Sequence, residues 1–145
     1  MRLVLQRVSS ASVQVWGQVV GEIRRGILVL AAVASDDTPE TAAKAARKVA
    51  ELRIFKDMEG KMNRSVAEVG GEVLVVSQFT LLGDTSKGRR PSYVKSAPGE
   101  VAEPLIQELA DQLRALGLKV SQGRFGADMQ VHLVNDGPVT LILDV

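Results

Sequence analysis

At 145 residues and 46% apolar content, the chain suits one domain with a substantial core. Its formal net charge of +1 excludes a global field for nucleic acid, so any such contact has to come from a local patch. The absence of cysteine removes disulfides, thiol catalysis and cysteine zinc sites, and a lone histidine, His132, argues against a His-built metal site or a Ser-His-Asp relay within one chain.

Met1 to Val8 is too short and too polar for a signal h-region, and no apolar run approaches the roughly 20 residues of a membrane span. The expectation is a soluble, cytoplasmic protein. Leu3–Val8 and Ser12–Val15 read as β, with Val13 and Val15 alternating against Ser12 and Gln14. Trp16-Gly17-Gln18 reads as a hairpin turn, with Trp16 a partly exposed packing residue. Arg24-Arg25-Gly26 then turns the chain into Ile27–Val33, a continuous apolar run that suits a strand buried on both faces.

A helix start follows: Thr38 suits the N-cap, Pro39 the first helical position and Glu40 the positive end of the dipole. Ala42, Ala45, Ala46, Val49 and Leu52 fall on one face, so small that the helix can lie close against a sheet. Asp57–Asn63 reads as a turn into a short strand. After Gly70-Gly71, Glu72 to Leu82 reads as a central strand whose polarity rises at Ser77, Gln78 and Thr80. Buried polar groups need partners, either neighbouring backbone or a ligand in a pocket at the strand's end.

Gly83–Pro98 is loop-like and locally basic, with Lys87, Arg89, Arg90 and Lys95 against Asp84. It reads as a solvated loop or as a phosphate contact. A second helix is expected from about Glu100 to Leu116, with Val101, Leu105, Leu109, Leu113 and Leu116 in one stripe and Gly117 as the residue past its end. Pro104 has to lie near its first turn. Leu118–Ser121 starts another strand, and Gly123–Met129 leads to two last strands flanking Asn135-Asp136-Gly137-Pro138. Locally this is hairpin-turn chemistry; equally, Gly-Pro can present bare carbonyls to a ligand. The sum is an α+β fold: a mixed, mainly antiparallel sheet that curls toward a barrel, with two main helices, in a single domain over residues 1–145. Dinucleotide, Walker A, His-Glu-x-x-His and Cys-x-x-Cys motifs are absent.

Ser77-Gln78-Phe79-Thr80-Leu81 and Asn135-Asp136-Gly137-Pro138-Val139-Thr140 together resemble the signature pair of the D-aminoacyl-tRNA deacylases. The similarity continues through Gln6-Arg7-Val8, Arg53-Ile54-Phe55, Gly60-Lys61-Met62-Asn63, Arg90-Pro91-Ser92 and Gly123-Arg124-Phe125, and so runs the length of the chain. Ala32, where such proteins often carry glycine, Trp16 in a turn usually polar, and His132 depart from the pattern. His132 stays outside the chemistry.

The resemblance implies a cytoplasmic homodimer that hydrolyses the ester joining a D-amino acid, or glycine, to the terminal adenosine of tRNA, with no cofactor, metal or membrane. In that family the Gly-Pro bond is cis and its carbonyls enter the pocket of the partner subunit. The catalytic positions so implied are Ser77, Gln78, Phe79, Thr80, Gly137 and Pro138, and the substrate-binding ones Arg7, Phe125, Met129, Asn135, Val139 and Thr140. Arg7 is expected to hold the Gly-Pro element across the interface. Ser77, Gln78, Phe125 and Met129 would take the adenosine, and Lys87, Arg89 and Arg90 the tRNA phosphates. Without a histidine beside them, Thr80 and Ser77 are poor nucleophiles, which favours attack by water, assisted by the ribose 2′-hydroxyl and by amides near Phe79 or Thr80. A threonine-nucleophile hydrolase using Thr80, and a non-catalytic RNA-end or small-ligand binding module, are the competing readings.

Overall fold

β1 (Arg2–Val15) is the strand on which the others assemble. Along one edge it pairs antiparallel first with β3 (Gly26–Ala32), through Arg2–Val8, and then with β2 (Gln18–Ile23), through Ala11–Val15. Along the other it pairs with β8 (Gln130–Asp144) over almost its whole length. β6 (Glu72–Ser77) continues the sheet parallel to β3, and β7 (Lys119–Gln122) parallel to β6. β4 (Phe55–Lys56) and β5 (Met62–Arg64) form a separate small hairpin. The computed structural model describes residues Met1–Val145.

The sheet curls because one residue is inserted into β1. Val8 opposes Asn135 but Ser10 opposes Val134, which leaves Ser9 unpaired. A one-residue insertion reverses which side chains face which side and adds twist. Before it, Leu3 and Leu5 point toward the helices while Val8 points away; after it, Ala11 and Val13 take up the direction of Val8. The second half of β1, with β2, thus folds over the concave face, around a small apolar centre of Val8, Ala11, Val13, Ile23, Leu28, Leu74 and Val76. Closure needs β2 to touch β7. It does so at Gly21, where a Cβ would stand 2.3 Å from the Gln122 carbonyl oxygen, and the Ser121 hydroxyl donates to the Glu22 carbonyl at 3.2 Å. The fold is the expected α+β domain with a mixed, nearly closed, barrel-like sheet and two helices.

α1 (Pro39–Glu51) and α2 (Gly99–Ala115) pack on each other and over the other face, sealing the larger core. The alanine face of α1 is buried as its spacing predicts, and Gly117 has φ +87 at the end of α2. Four local readings change. β1 is one strand of 14 residues, not two. β6 stops at Ser77 instead of running to Leu82, because the chain turns into a short 3-10 helix, Phe79–Leu82. On α2 the buried stripe is Ala102, Leu105, Ile106, Leu109, Ala110 and Leu113, with Val101 and Leu116 exposed at its ends. Trp16 packs on nothing: it is 95% exposed, with φ +52, in a tight turn with Gly17 at φ +74, the paired positive φ that suits two-residue hairpins.

Candidate active site

Where β6 ends, the sheet opens. Ser77 still pairs with Ala31, and the Gln78 N–H donates to the Ala31 carbonyl at 2.8 Å, so β3 holds the strand end rigidly. The chain then tightens. The Leu81 N–H bonds back to the Gln78 carbonyl and the Gly83 N–H to that of Thr80, which leaves the amides of Phe79 and Thr80 ahead of the first turn's bonds. The Gln78 side-chain amide donates to the Thr80 hydroxyl at 2.6 Å. The Ser96 hydroxyl donates to the Phe79 carbonyl at 3.1 Å, and the Phe79 and Tyr93 rings meet edge to face at 5.1 Å.

This corner borders a cavity of about 670 Å³, a volume suited to a small organic ligand or one nucleoside. Ser77, Gln78 and Phe79 form one wall, Phe125 and Met129 from the connection before β8 form another, and Ala97, Ala102 and Ile106 close the side toward α2. Five of the residues singled out in the sequence thus come together, and Thr80 joins them through Gln78. Tyr93, Ser96 and Ala102 were not legible as lining residues: the first two sit in a segment marked only by its basic charges, and Ala102 has no chemical signature at all. Asp128 is the one charged side chain that lines the cavity.

Gly137 and Pro138 lie elsewhere. The expected hairpin turn is absent, since β8 continues through the motif as a single strand of 15 residues. Gln6 opposes Thr140 and Val8 opposes Asn135, so the four residues Asp136–Val139 bulge out against the single residue Arg7. A hairpin is not needed because β1 is long enough to pair with β8 on both sides of the excursion. The Gly137–Pro138 peptide is cis. Arg7 is 3% exposed and grips the loop from beneath, its Nε donating to the Asp136 carbonyl at 3.1 Å and its Nη1 to the Ile54 carbonyl at 2.6 Å. Its Nε also lies 3.4 Å from an Asp136 carboxylate oxygen. The Asn135 side chain donates to the carbonyls of Arg7 and Val139 at 3.0 and 3.1 Å, closing the base of the loop. Within its own chain, the Arg7 guanidinium is buried under the loop it supports. Gly137 has φ +127, and a Cβ there would stand 2.5 Å from Arg7 Nη2. Only glycine fits. Thr140 accepts from the Gln6 side chain at 3.3 Å.

Residues 4–144 match the model of the family described as D-Tyr-tRNA(Tyr) deacylase. The chain belongs to the D-Tyr-tRNA(Tyr) deacylase family. Proteins named D-aminoacyl-tRNA deacylase from Roseiflexus castenholzii and Anaeromyxobacter dehalogenans are 57% and 58% identical over 144 residues, 99% of this chain and 92% and 97% of theirs. Among solved structures, one titled c-Myc DNA Unwinding Element Binding Protein superposes with a TM-score of 0.93 at 42% identity, covering 100% of this chain and 99% of that one. Another, titled as a probable eukaryotic D-amino acid tRNA deacylase, has a TM-score of 0.89 at 21% identity over 99% and 98% of the two chains, a likeness of fold.

Membership of this deacylase family makes the protein a hydrolase. Lys87, Arg89 and Arg90 border neither the cavity nor the Gly-Pro loop; they are exposed on a loop pinned at its base by the paired backbones of Asp84 and Ser92. His132 is exposed on the outer face of β8, opposite Ser12. No helix is long and apolar enough to cross a membrane.

Proposed function

We propose that the protein hydrolyses the ester between a D-amino acid, or glycine, and the 3′-terminal adenosine of tRNA, and that it does so as a homodimer. The observation that carries the reading is the separation of the two motifs. Arg2 reaches the Leu81 carbonyl at 3.4 Å beside one of them, and the other sits over Arg7, five residues further along β1, on the order of 15 Å at the rise of a strand. Gly137 and Pro138 are exposed yet anchored from below, as suits a rigid element offered to another molecule. A second copy supplies it to the cavity of the first.

In that arrangement the carbonyl oxygens of Gly137 and Pro138 occupy the volume an L side chain needs, while a hydrogen atom fits. Specificity then comes from a clash with the wrong isomer, and one pocket serves many D-amino acids. Glycine has nothing to clash and is cleaved. Ser77, Gln78, Phe125 and Met129 hold the adenosine through edge hydrogen bonds, ring and thioether, and Asn135, Val139 and Thr140 keep the loop in register. The amides of Phe79 and Thr80, unused by the 3-10 turn, stabilise the oxyanion; one such donor contributes about 2.7–4 kcal/mol. Water attacks, assisted by the ribose 2′-hydroxyl. Thr80 already accepts from Gln78 and has no base to deprotonate it.

Incubation of the purified protein with D-tyrosyl-tRNA and L-tyrosyl-tRNA tests this directly. The D ester is expected to be hydrolysed and the L ester left intact, with Thr80→Val retaining most of the rate. Equal rates for both isomers would overturn the steric mechanism. Release of neither would leave a binding module.

A further inference from the structure

Beyond the Phe125 wall lies a second cavity of about 250 Å³, between α2 and the end of β7. It shares Ser77, Ile106 and Phe125 with the larger one, so the two are neighbours separated by one side-chain layer. Its other walls differ in kind. The larger cavity is mostly apolar, whereas this one is edged by Glu103, Gln107, Gln122 and Arg124. Two of these are held in place. The Gln122 amide donates to the Gln107 carbonyl oxygen at 3.4 Å, Gln107 in turn donates to Asp111 at 2.9 Å, and Arg114 donates to the Gln122 oxygen at 3.2 Å. Glu103 and Arg124 carry the free charges, for neither is in an ion pair.

We propose that this cavity binds the base of the nucleotide preceding the terminal adenosine, a cytosine in the CCA end common to tRNAs; the inference rests on the deacylase reading above. A strand whose last nucleoside fills the larger cavity and leaves past Phe125, which both cavities share, brings the next base to this polar notch. The chemistry matches a cytosine edge. A carboxylate accepts from the cytosine amino group, here Glu103, and the Arg124 guanidinium and Gln122 amide donate to its ring nitrogen and carbonyl. Uracil offers a carbonyl in place of the amino group, so two acceptors would face each other at Glu103. Phe125 gives the base an aromatic flank on the side shared with the adenosine. The pocket therefore reads the end of any tRNA and stays indifferent to which tRNA carries it.

The test compares kcat/KM for D-tyrosyl-adenosine, D-tyrosyl-CpA and D-tyrosyl-UpA with the parent protein and with Glu103→Gln. CpA is expected to exceed both other esters by about tenfold, the discrimination typical of a matched base edge. Glu103→Gln should bring CpA and UpA close together, because an amide can present either a donor or an acceptor, while hydrolysis of D-tyrosyl-adenosine stays at the parent rate. Equal values for all three esters in the parent would overturn the inference and leave the deacylase reading standing. CpA and UpA equal to each other but faster than the adenosine ester would also overturn it, since only a phosphate would then be sensed. If the parent cleaves none of them, nor D-tyrosyl-tRNA, the deacylase reading falls and this inference with it.

Discussion

The strand end at Ser77 and the excursion at Gly137 are built by opposite means. At Ser77, a few polar side chains and unused amides edge a mostly apolar cavity whose walls come from four different parts of the chain. Gly137 does not line that cavity; one buried guanidinium and one asparagine amide hold up a loop of bare main chain. The first region is concave, tolerant in shape and made by side chains. The second is convex, fixed and made by backbone. A receptor for a varied ligand benefits from the first kind of surface, and a gauge that measures one bond direction benefits from the second. In the proposed mechanism the two do those two jobs, and a second copy brings one against the other.

The contrast is broken most directly by Gly137→Ala. Alanine at φ +127 is strained, at a cost of about 1–3 kcal/mol, and its Cβ would collide with the buried guanidinium of Arg7. The loop moves instead. A displacement near 1 Å in a positioning element can cost about 100-fold in rate. Deacylation of D-tyrosyl-tRNA is therefore expected to fall by about two orders of magnitude, while the cavity, formed by other residues, keeps its affinity for a non-hydrolysable adenosine analogue. Stability should drop by only a few degrees in Tm. Retention of full D activity with full rejection of the L ester would mean that the excursion measures nothing.

The same contrast explains what could be read from the sequence. Elements defined by periodicity and end signals were legible: the unbroken run Ile27–Val33 gives β3, and Thr38-Pro39 with the alanine spacing gives α1. The excursion was not, because Asn-Asp-Gly-Pro carries the same local chemistry in a hairpin turn and in a bulge. What decides is the length of β1, which is long enough to pair with β8 on both sides. The end of β6 was missed for a related reason: Phe79 and Thr80 favour strands, Leu81 and Leu82 extend the apolar run, and only the bond from Gln78 to Ala31 and the return bond from Leu81 turn the chain there. The cavity's membership was half legible. Ser77 and Gln78 stand out as polar residues in an apolar run, whereas Phe125 and Met129 look like core residues and acquire a role only through the family resemblance. Arg7, buried and charged within a strand, has no local mark of its partner 129 residues away.

A smaller effect separates the concave region from the basic loop beside it. If Lys87, Arg89 and Arg90 meet phosphates of the acceptor stem, tRNA affinity falls with salt, and replacing all three by alanine should flatten the slope of log K against log salt by about 3. The rate on D-tyrosyl-adenosine, which carries no phosphate, should not change. An unaltered slope would make the loop a solvated connection whose charges serve solubility.

The smallest effect tests the far end of β6, where Glu72 stands as a structural counterpart to Ser77. The Lys119 ammonium, 2.9 Å away, and the Arg24 N–H, 2.8 Å away, hold the Glu72 carboxylate below its ordinary pKa. Because the folded-state value is depressed, the ionised form favours folding at pH above the ordinary glutamate range, and that stabilisation disappears as pH falls through the folded value. Glu72→Gln should therefore lower Tm slightly at neutral pH, by no more than about 3 °C for an exposed-edge ion pair in a chain of this size, and the two proteins should converge in acid. Deacylation at neutral pH should be untouched, since Glu72 borders neither cavity. A loss of activity in Glu72→Gln with Tm preserved would mean that the two ends of β6 are coupled, and that the rigidity of the strand, more than the chemistry at its open end, sets the geometry of the cavity.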